Sequence, residues 1–147
     1  MASFKVINDP ASNSTPFNRE DIADFLHDHL DEYGDEREYI LNAIDYAFGK
    51  GPGQDGFVLL AIDDDQIIGA VVINNTNMSG YIPENILVYI AVNENYRGEG
   101  IGSQLMEHTI EHTDGDIALH VEAENPAKFL YEKYGFKNKY LEMRLEK

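Results

Sequence analysis

A chain of 147 residues is long enough to bury one proper core and too short for two, and a composition of 43% hydrophobic and 11% aromatic residues excludes a disordered polymer. The 27 acidic residues against 11 basic ones leave a net charge of −16, which excludes a nucleic-acid-binding surface and obliges any anionic ligand to find a local positive spot. The absence of cysteine excludes disulfides and thiolate zinc sites, and no run approaches the ~20 apolar residues of a membrane span, so a cytoplasmic domain without nucleic-acid or membrane partners is expected.

Phe4 to Asn8 alternates apolar and polar residues and predicts a first strand. A loop from Asp9 to Phe17 follows, with Thr15 or Asn18 placed to cap the next helix. That helix carries Ile22, Phe25, Leu26, Leu30 and Tyr33 on one stripe, and Gly34 is the expected stop. A second helix is expected from Asp35 to Phe48, with Ile40, Ala43, Ile44, Ala47 and Phe48 facing inward. Asn18 to Tyr46 holds 10 acidic residues and two basic ones, a local balance of −8. A solvated helix face accounts for such a run, and so does a wall that attracts a cation. His27 and His29 lie beside Asp28 and Asp31, but no ligand spacing supports a metal site.

Phe57 to Ile62 and Ile67 to Ile73 read as an antiparallel hairpin joined by the four residues Asp63 to Gln66. After a polar loop, Ile86 to Val92 is an apolar, β-branched run, the pattern of a buried central strand. A polar turn leads to Gly98, Gly100 and Gly102, which run into a helix carrying Leu105, Met106, Thr109 and Ile110. Glycines admit a close backbone approach, and a helix start presents unpaired N–H groups and a positive dipole end, so an anion such as phosphate is the natural guest. Ile117 to Val121 predicts another strand, Pro126 to Tyr134 a short helix, and Lys139 to Lys147 a half-buried last strand by its strict alternation. The order predicts a single α/β domain over residues 1–147, with a mixed, mostly antiparallel sheet of about six strands and about four helices.

Two readings compete for the glycine stretch. The dinucleotide fingerprint G-x-G-x-x-G is matched by Gly98 and Gly100, but Ser103 stands at the third glycine, and five residues separate the strand from Gly98 where that fold needs a tight turn. Arg97-Gly98-Glu99-Gly100-Ile101-Gly102 resembles instead the acetyl-CoA loop of the GNAT-type N-acetyltransferases. A second block, Leu119 to Phe136, resembles that family's strand ending in Asn125-Pro126-Ala127 and its helix closing with Leu130-Tyr131-Glu132-Lys133-Tyr134-Gly135-Phe136. The resemblance is close from Phe57 to Phe136 and rests on element order before that.

The resemblance implies an acetyl-CoA-dependent N-acetyltransferase, with acetyl-CoA as cosubstrate and a primary amine, small molecule or peptide, as acceptor. An acidic wall implies a cationic acceptor, attacked directly in a ternary complex. Ile90, Ala91 and Val92 would align the pantetheine arm, and Arg97, Gly98, Gly100, Ile101, Gly102 and Ser103 would cradle the pyrophosphate. Asn125 would bind pantetheine, and Tyr131 would protonate the departing thiolate. Many relatives carry an acidic general base just ahead of the final Ala-Val of the central strand, where this chain has Val88 and Tyr89. Glu84, His120, Glu122 or bulk water are left for that role. The alternative is a non-catalytic acetyl-CoA-binding or protein-interaction module on the same fold. Only 11 residues follow Phe136, so the acceptor side is either open or completed by a second subunit, and the chain is expected to be a monomer or homodimer.

Overall fold

The structure is a computed structural model, described here over residues 2–9 and 15–147. Its five-stranded sheet has the order β1-β2-β3-β4-β5, from Ser3–Ile7, Gly56–Asp63, Gln66–Asn75, Asn85–Val92 and Ile117–Ala118. All neighbours run antiparallel except β4 and β5, which are parallel. The mixed, mostly antiparallel α/β expectation therefore holds, with five strands in place of six. The residues from Pro10 to Ser14 in the expected first loop lie outside the described residues.

Helices α1 (Arg19–His29) and α2 (Arg37–Ala47) cover one face of the sheet, and α3 (Ile101–His112) and α4 (Lys128–Lys133) lie on the other. Because both faces are covered, β2 and β3 read as continuous apolar runs. Val58, Leu60 and Val72 pack with Ile22, Leu26, Ile40 and Ile44. Leu59, Val71 and Ile73 pack with Leu105 and Met106 on the opposite side. The hairpin between β2 and β3 is tighter than its sequence suggested. Asp63 and Gln66 still pair, and Asp64 and Asp65, with φ of 51° and 57°, make a two-residue turn that matches the twist of the strands.

The start of α1 is fixed by a capping box: Asp21 N–H donates to Asn18 Oδ1 at 2.8 Å, and Asn18 N–H donates to Asp21 Oδ2 at 3.0 Å. Its end differs from expectation. The helix stops at His29, and the residue that turns left-handed is Asp31, with φ of 55°, not Gly34. Gly34 is extended and serves by its size, since a Cβ there would come within 2.7 Å of Leu30 Cβ. Between the two helices the chain makes a short 3-10 turn, Asp31–Tyr33, followed by Asp35 and Glu36.

Two strand expectations fail. The strand expected over Ile117–Val121 is only two residues long, and Lys139–Lys147 forms no strand, with Leu141, Met143 and Leu145 from 83 to 90% exposed. The reasons are connected. β5 pairs only with Asn85 and Ile86 and offers no straight edge beyond Ala118 on which a further strand could build. Alternation makes a segment fit to pair, but without a partner edge its backbone stays with water.

Candidate active site

The sheet opens where β4 leaves β5. At the closed end, Asn85 N–H donates to Asp116 O (3.1 Å) and its Nδ2 to Asp114 O (2.6 Å). Glu84 Oε1 accepts the Asp116 N–H at 2.6 Å, and that bond, first among its causes, holds the carboxyl below the usual carboxylate range. Glu84 thus staples the closed end and stands away from the opening. Further along, a β-bulge interrupts β4. Val72 faces Tyr89 and Ile73 faces Leu87, so Val88 is the extra residue. A bulge bends its strand and shifts the alternation by one. Leu87 accordingly packs on the α3 side, while Val88 and Tyr89 both pack on the α1–α2 side. From Leu87 to Val92 the outer edge of β4 has no strand partner among the described residues, which is the geometry an extended ligand joins as an added strand.

This edge runs into the glycine loop. After the 3-10 turn Glu94–Tyr96, Gly98 and Gly100 take φ of 85° and 84°, and a Cβ on either would meet nothing within 4 Å. Both conditions fit a backbone cradle: a left-handed path that only glycine follows cheaply, beside open space. α3 begins at Ile101, so the N–H groups of its first turn lack intrahelical acceptors and form a positive dipole end of the kind that suits an anion. Lys133 Nζ reaches Ser103 Oγ at 3.2 Å and places a cation beside the start of α3. Gly102 lies at the mouth, where a Cβ would sit 3.6 Å from Leu130 Cδ2 and 3.8 Å from Val92 Cγ2. Arg97 is committed elsewhere. Its N–H donates to Glu94 O (3.4 Å), its Nε to Val92 O (3.2 Å), and its Nη2 to His29 O (3.0 Å) and Asp31 Oδ2 (3.4 Å). It ties the glycine loop to the end of α1.

Tyr131 projects from α4 into the α3-side core, 8% exposed and 5.9 Å from the Phe136 ring. Burial pushes its phenol up to about 12, so it keeps its proton across the physiological range. Asn125 spends its side-chain oxygen on the Ala127 N–H (2.9 Å), which leaves its NH₂ group for a ligand. His120 and Glu122 are exposed, in the irregular stretch beyond β5.

On the α1–α2 side, the segment between the helices arches over the opening. The Tyr33 hydroxyl donates to Glu124 O (3.4 Å), where burial first and then the charges of Glu32, Glu124 and Glu122 raise its pKa. The Tyr89 hydroxyl donates to Asp35 Oδ2 at 2.5 Å, the short length of a charge-assisted bond. Burial, followed by the bond to Asp35 and its charge, pushes the Tyr89 phenol well above its ordinary value, so it stays protonated. Tyr89 is 7% exposed and Asp35 is exposed.

The GNAT acetyltransferase domain model matches residues 54–138, more than half of the chain. The chain belongs to the GNAT acetyltransferase family. It is 29% identical over 85 residues to N-alpha-acetyltransferase 30 of Schizosaccharomyces pombe, covering 54% of this chain and 57% of that protein. It is 40% identical over 55 residues to the mouse cysteine-rich protein 2-binding protein, covering 37% of this chain and 7% of that protein. The chain therefore spans a small part of the latter relative and little more than half of the former. The NatC complex bound to Gag peptide and CoA shares the fold, with a TM-score of 0.66, 23% identity, and coverage of 92% of this chain and 84% of that one. In this GNAT domain the glycine loop and the 125–136 block fall inside the matched residues, as the sequence blocks implied. The Tyr89–Asp35 pair was missed. The only hint was a hydroxyl-bearing residue within an apolar run, since a buried Tyr usually finds a partner for its O–H. Nothing in the sequence names Asp35 as that partner, 54 residues away.

Proposed function

We propose that this protein is an acetyl-CoA-dependent N-acetyltransferase acting on a cationic primary amine in a ternary complex. The observation that carries the reading is the unpaired edge of β4, Leu87 to Val92, leading directly into a glycine-lined helix start, with the protonated Tyr131 on the flanking helix. The edge suits the amide-bearing pantetheine arm at Ile90, Ala91 and Val92. The N–H groups from Gly98 to Ser103, with Lys133 beside them, suit the pyrophosphate. The NH₂ of Asn125 is a further donor to the arm. Tyr131 gives its proton to sulfur as the thiolate leaves, and backbone N–H of β4 meets the oxyanion.

The family match supports acetyl transfer, and the named activity of the yeast relative supports an amine acceptor. A non-catalytic acetyl-CoA-binding module is the second reading, favoured by one observation: β4 itself carries no carboxylate. Thermal unfolding and turnover separate the two. Acetyl-CoA at ~100 times its dissociation constant should stabilise the fold by about 2.7 kcal/mol. Gly102→Glu should abolish that shift without unfolding the protein, because Gly102 is an ordinary helical position with room for a Cβ and the new carboxylate opposes the phosphates. A shift with NAD and none with acetyl-CoA would overturn the reading. Stabilisation without acetylation of any amine in a panel of peptide N-termini, lysines and polyamines would favour the non-catalytic module.

A further inference from the structure

Asp35 brings to the opening the carboxylate that β4 lacks. Three contacts fix its segment there: Arg97 Nη2 on His29 O and Asp31, Tyr33 on Glu124 O, and Tyr89 on Asp35 Oδ2. The first ties it to the glycine loop at the end of β4, the second to the turn after β5, and the third to β4 itself. The segment thus spans both banks of the gap between β4 and the 119–126 stretch. Tyr89 lies next to Ile90 on the strand whose outer edge is unpaired, and the bulge at Val88 sets it on the side facing α1 and α2. Tyr131 approaches from the opposite face. The two faces of the opening therefore carry different chemistry: a protonated phenol on one, and an exposed carboxylate gripped by a buried hydroxyl on the other. Among the described residues no cation is paired with Asp35, whereas Asp24, Asp31 and Asp45 pair with Arg37, Arg97 and Arg19. The hydrogen bond occupies one oxygen of Asp35, and the other remains for a ligand.

Resting on the acetyltransferase reading above, we infer that Asp35, positioned by Tyr89, receives the acceptor's ammonium group and takes its proton. The step balances as follows. R–NH₃⁺ gives one proton to the Asp35 carboxylate, and the freed lone pair forms the N–C bond at the thioester carbonyl. The carbonyl π pair moves onto oxygen, and its return breaks the C–S bond, whose electron pair leaves with sulfur. Sulfur takes the Tyr131 proton, the nitrogen's surplus proton restores the phenol, and Asp35 releases its proton to solvent. The sum is R–NH₃⁺ plus acetyl-CoA giving the N-acetyl amide, CoA thiol and one H⁺. Tyr89 touches no reacting atom and acts as a positioning residue.

The test compares wild type with Asp35→Asn, Asp35→Glu and Tyr89→Phe, using two acceptors at pH 7: an alkylamine, which is protonated, and a hydrazide, which is neutral. Asp35→Asn should lower kcat/KM for the alkylamine by about 10²-fold or more, the scale of a positioned base, and for the hydrazide by no more than a few-fold. Asp35→Glu should recover part of the loss. Tyr89→Phe should raise KM for the alkylamine and lower kcat while KM for acetyl-CoA stays fixed. Calorimetry of an unreactive trimethylammonium analogue of the acceptor on the CoA complex should show weaker binding to Asp35→Asn, and the acetyl-CoA thermal shift should be the same in every variant. Equal losses with both acceptors, or an Asp35→Asn enzyme that matches wild type, would overturn this assignment while leaving the acetyltransferase reading intact. A wild-type protein that neither binds acetyl-CoA nor acetylates an amine would overturn both.

Discussion

Tyr131 shows how one residue's surroundings set its chemistry. A free phenol loses its proton near pH 10, and burial moves this one up to about 12. It is therefore a weaker acid than a free tyrosine, and it stays neutral and protonated across the physiological range. Tyr131→Phe keeps the ring against Phe136 and removes only the hydroxyl. Turnover should fall by about 10²-fold with KM for acetyl-CoA nearly unchanged, since the proton is needed mainly in the transition state. A linked effect on stability has a definite sign. Below pH 10 the folded and unfolded chains both hold the proton. Between about 10 and 12 the folded chain keeps a proton that the unfolded chain has lost, so stability falls as pH rises, with a limiting slope of about 1.4 kcal/mol per unit. Denaturant unfolding measured across that window should show a shallower fall for Tyr131→Phe than for wild type.

At the scale of elements, the core strands and long helices were legible because their patterns repeat. The stripe from Ile22 to Leu26 and the runs of β2 and β3 record burial on one face or on two, and these residues are buried as expected. The elements that failed depend on pairing. Leu141, Met143 and Leu145 alternate as a strand does, yet pairing needs an edge, and β5 stops at Ala118. Because residues 139–147 are exposed throughout, removing them should shift the unfolding temperature by no more than about 2 °C, as is usual for surface changes that touch no core group. A loss of several degrees would mean that the segment pairs with something in solution. The bulge at Val88 was equally hidden. Ile86 to Val92 reads as one uninterrupted apolar run, and nothing local marks the residue at which β3 stops matching it.

Across the whole molecule the charge is unevenly spent. Of the −8 carried between Asn18 and Tyr46, Arg19 binds Asp45 through Nε (2.6 Å) and Nη2 (2.8 Å), and Arg37 binds Asp24 (2.6 Å). Among the described residues no cation is paired with Glu32, Asp35 or Glu36, which leaves the α1–α2 side of the opening negative, while Lys133 lies at the start of α3; on the proposed function these are the acceptor and donor sides. Exposed charges of this kind steer a cationic partner and are screened over ~10 Å at 0.1 M salt. Raising salt from 20 to 300 mM, which shortens the screening length from about 22 to about 6 Å, should raise KM for a cationic amine several-fold and leave a neutral acceptor nearly unaffected. Efficient turnover of an anionic acceptor without salt dependence would show that the acidity only solubilises the chain.

The sequence by itself determined the covered sheet, the order of its elements, and the glycine-lined start of α3. Each of those is written in contiguous residues: apolar periodicity for the core, glycines before a helix for the left-handed loop, and the Asn125–Phe136 block for the short helix that carries Tyr131. Tertiary structure decided where β4 bends, where β5 ends, and that Asp35 meets Tyr89. Those outcomes depend on strand register and on contacts between distant residues. Asp35 and Tyr89 become neighbours only after α1 and α2 have packed on the sheet, so no local pattern could announce them.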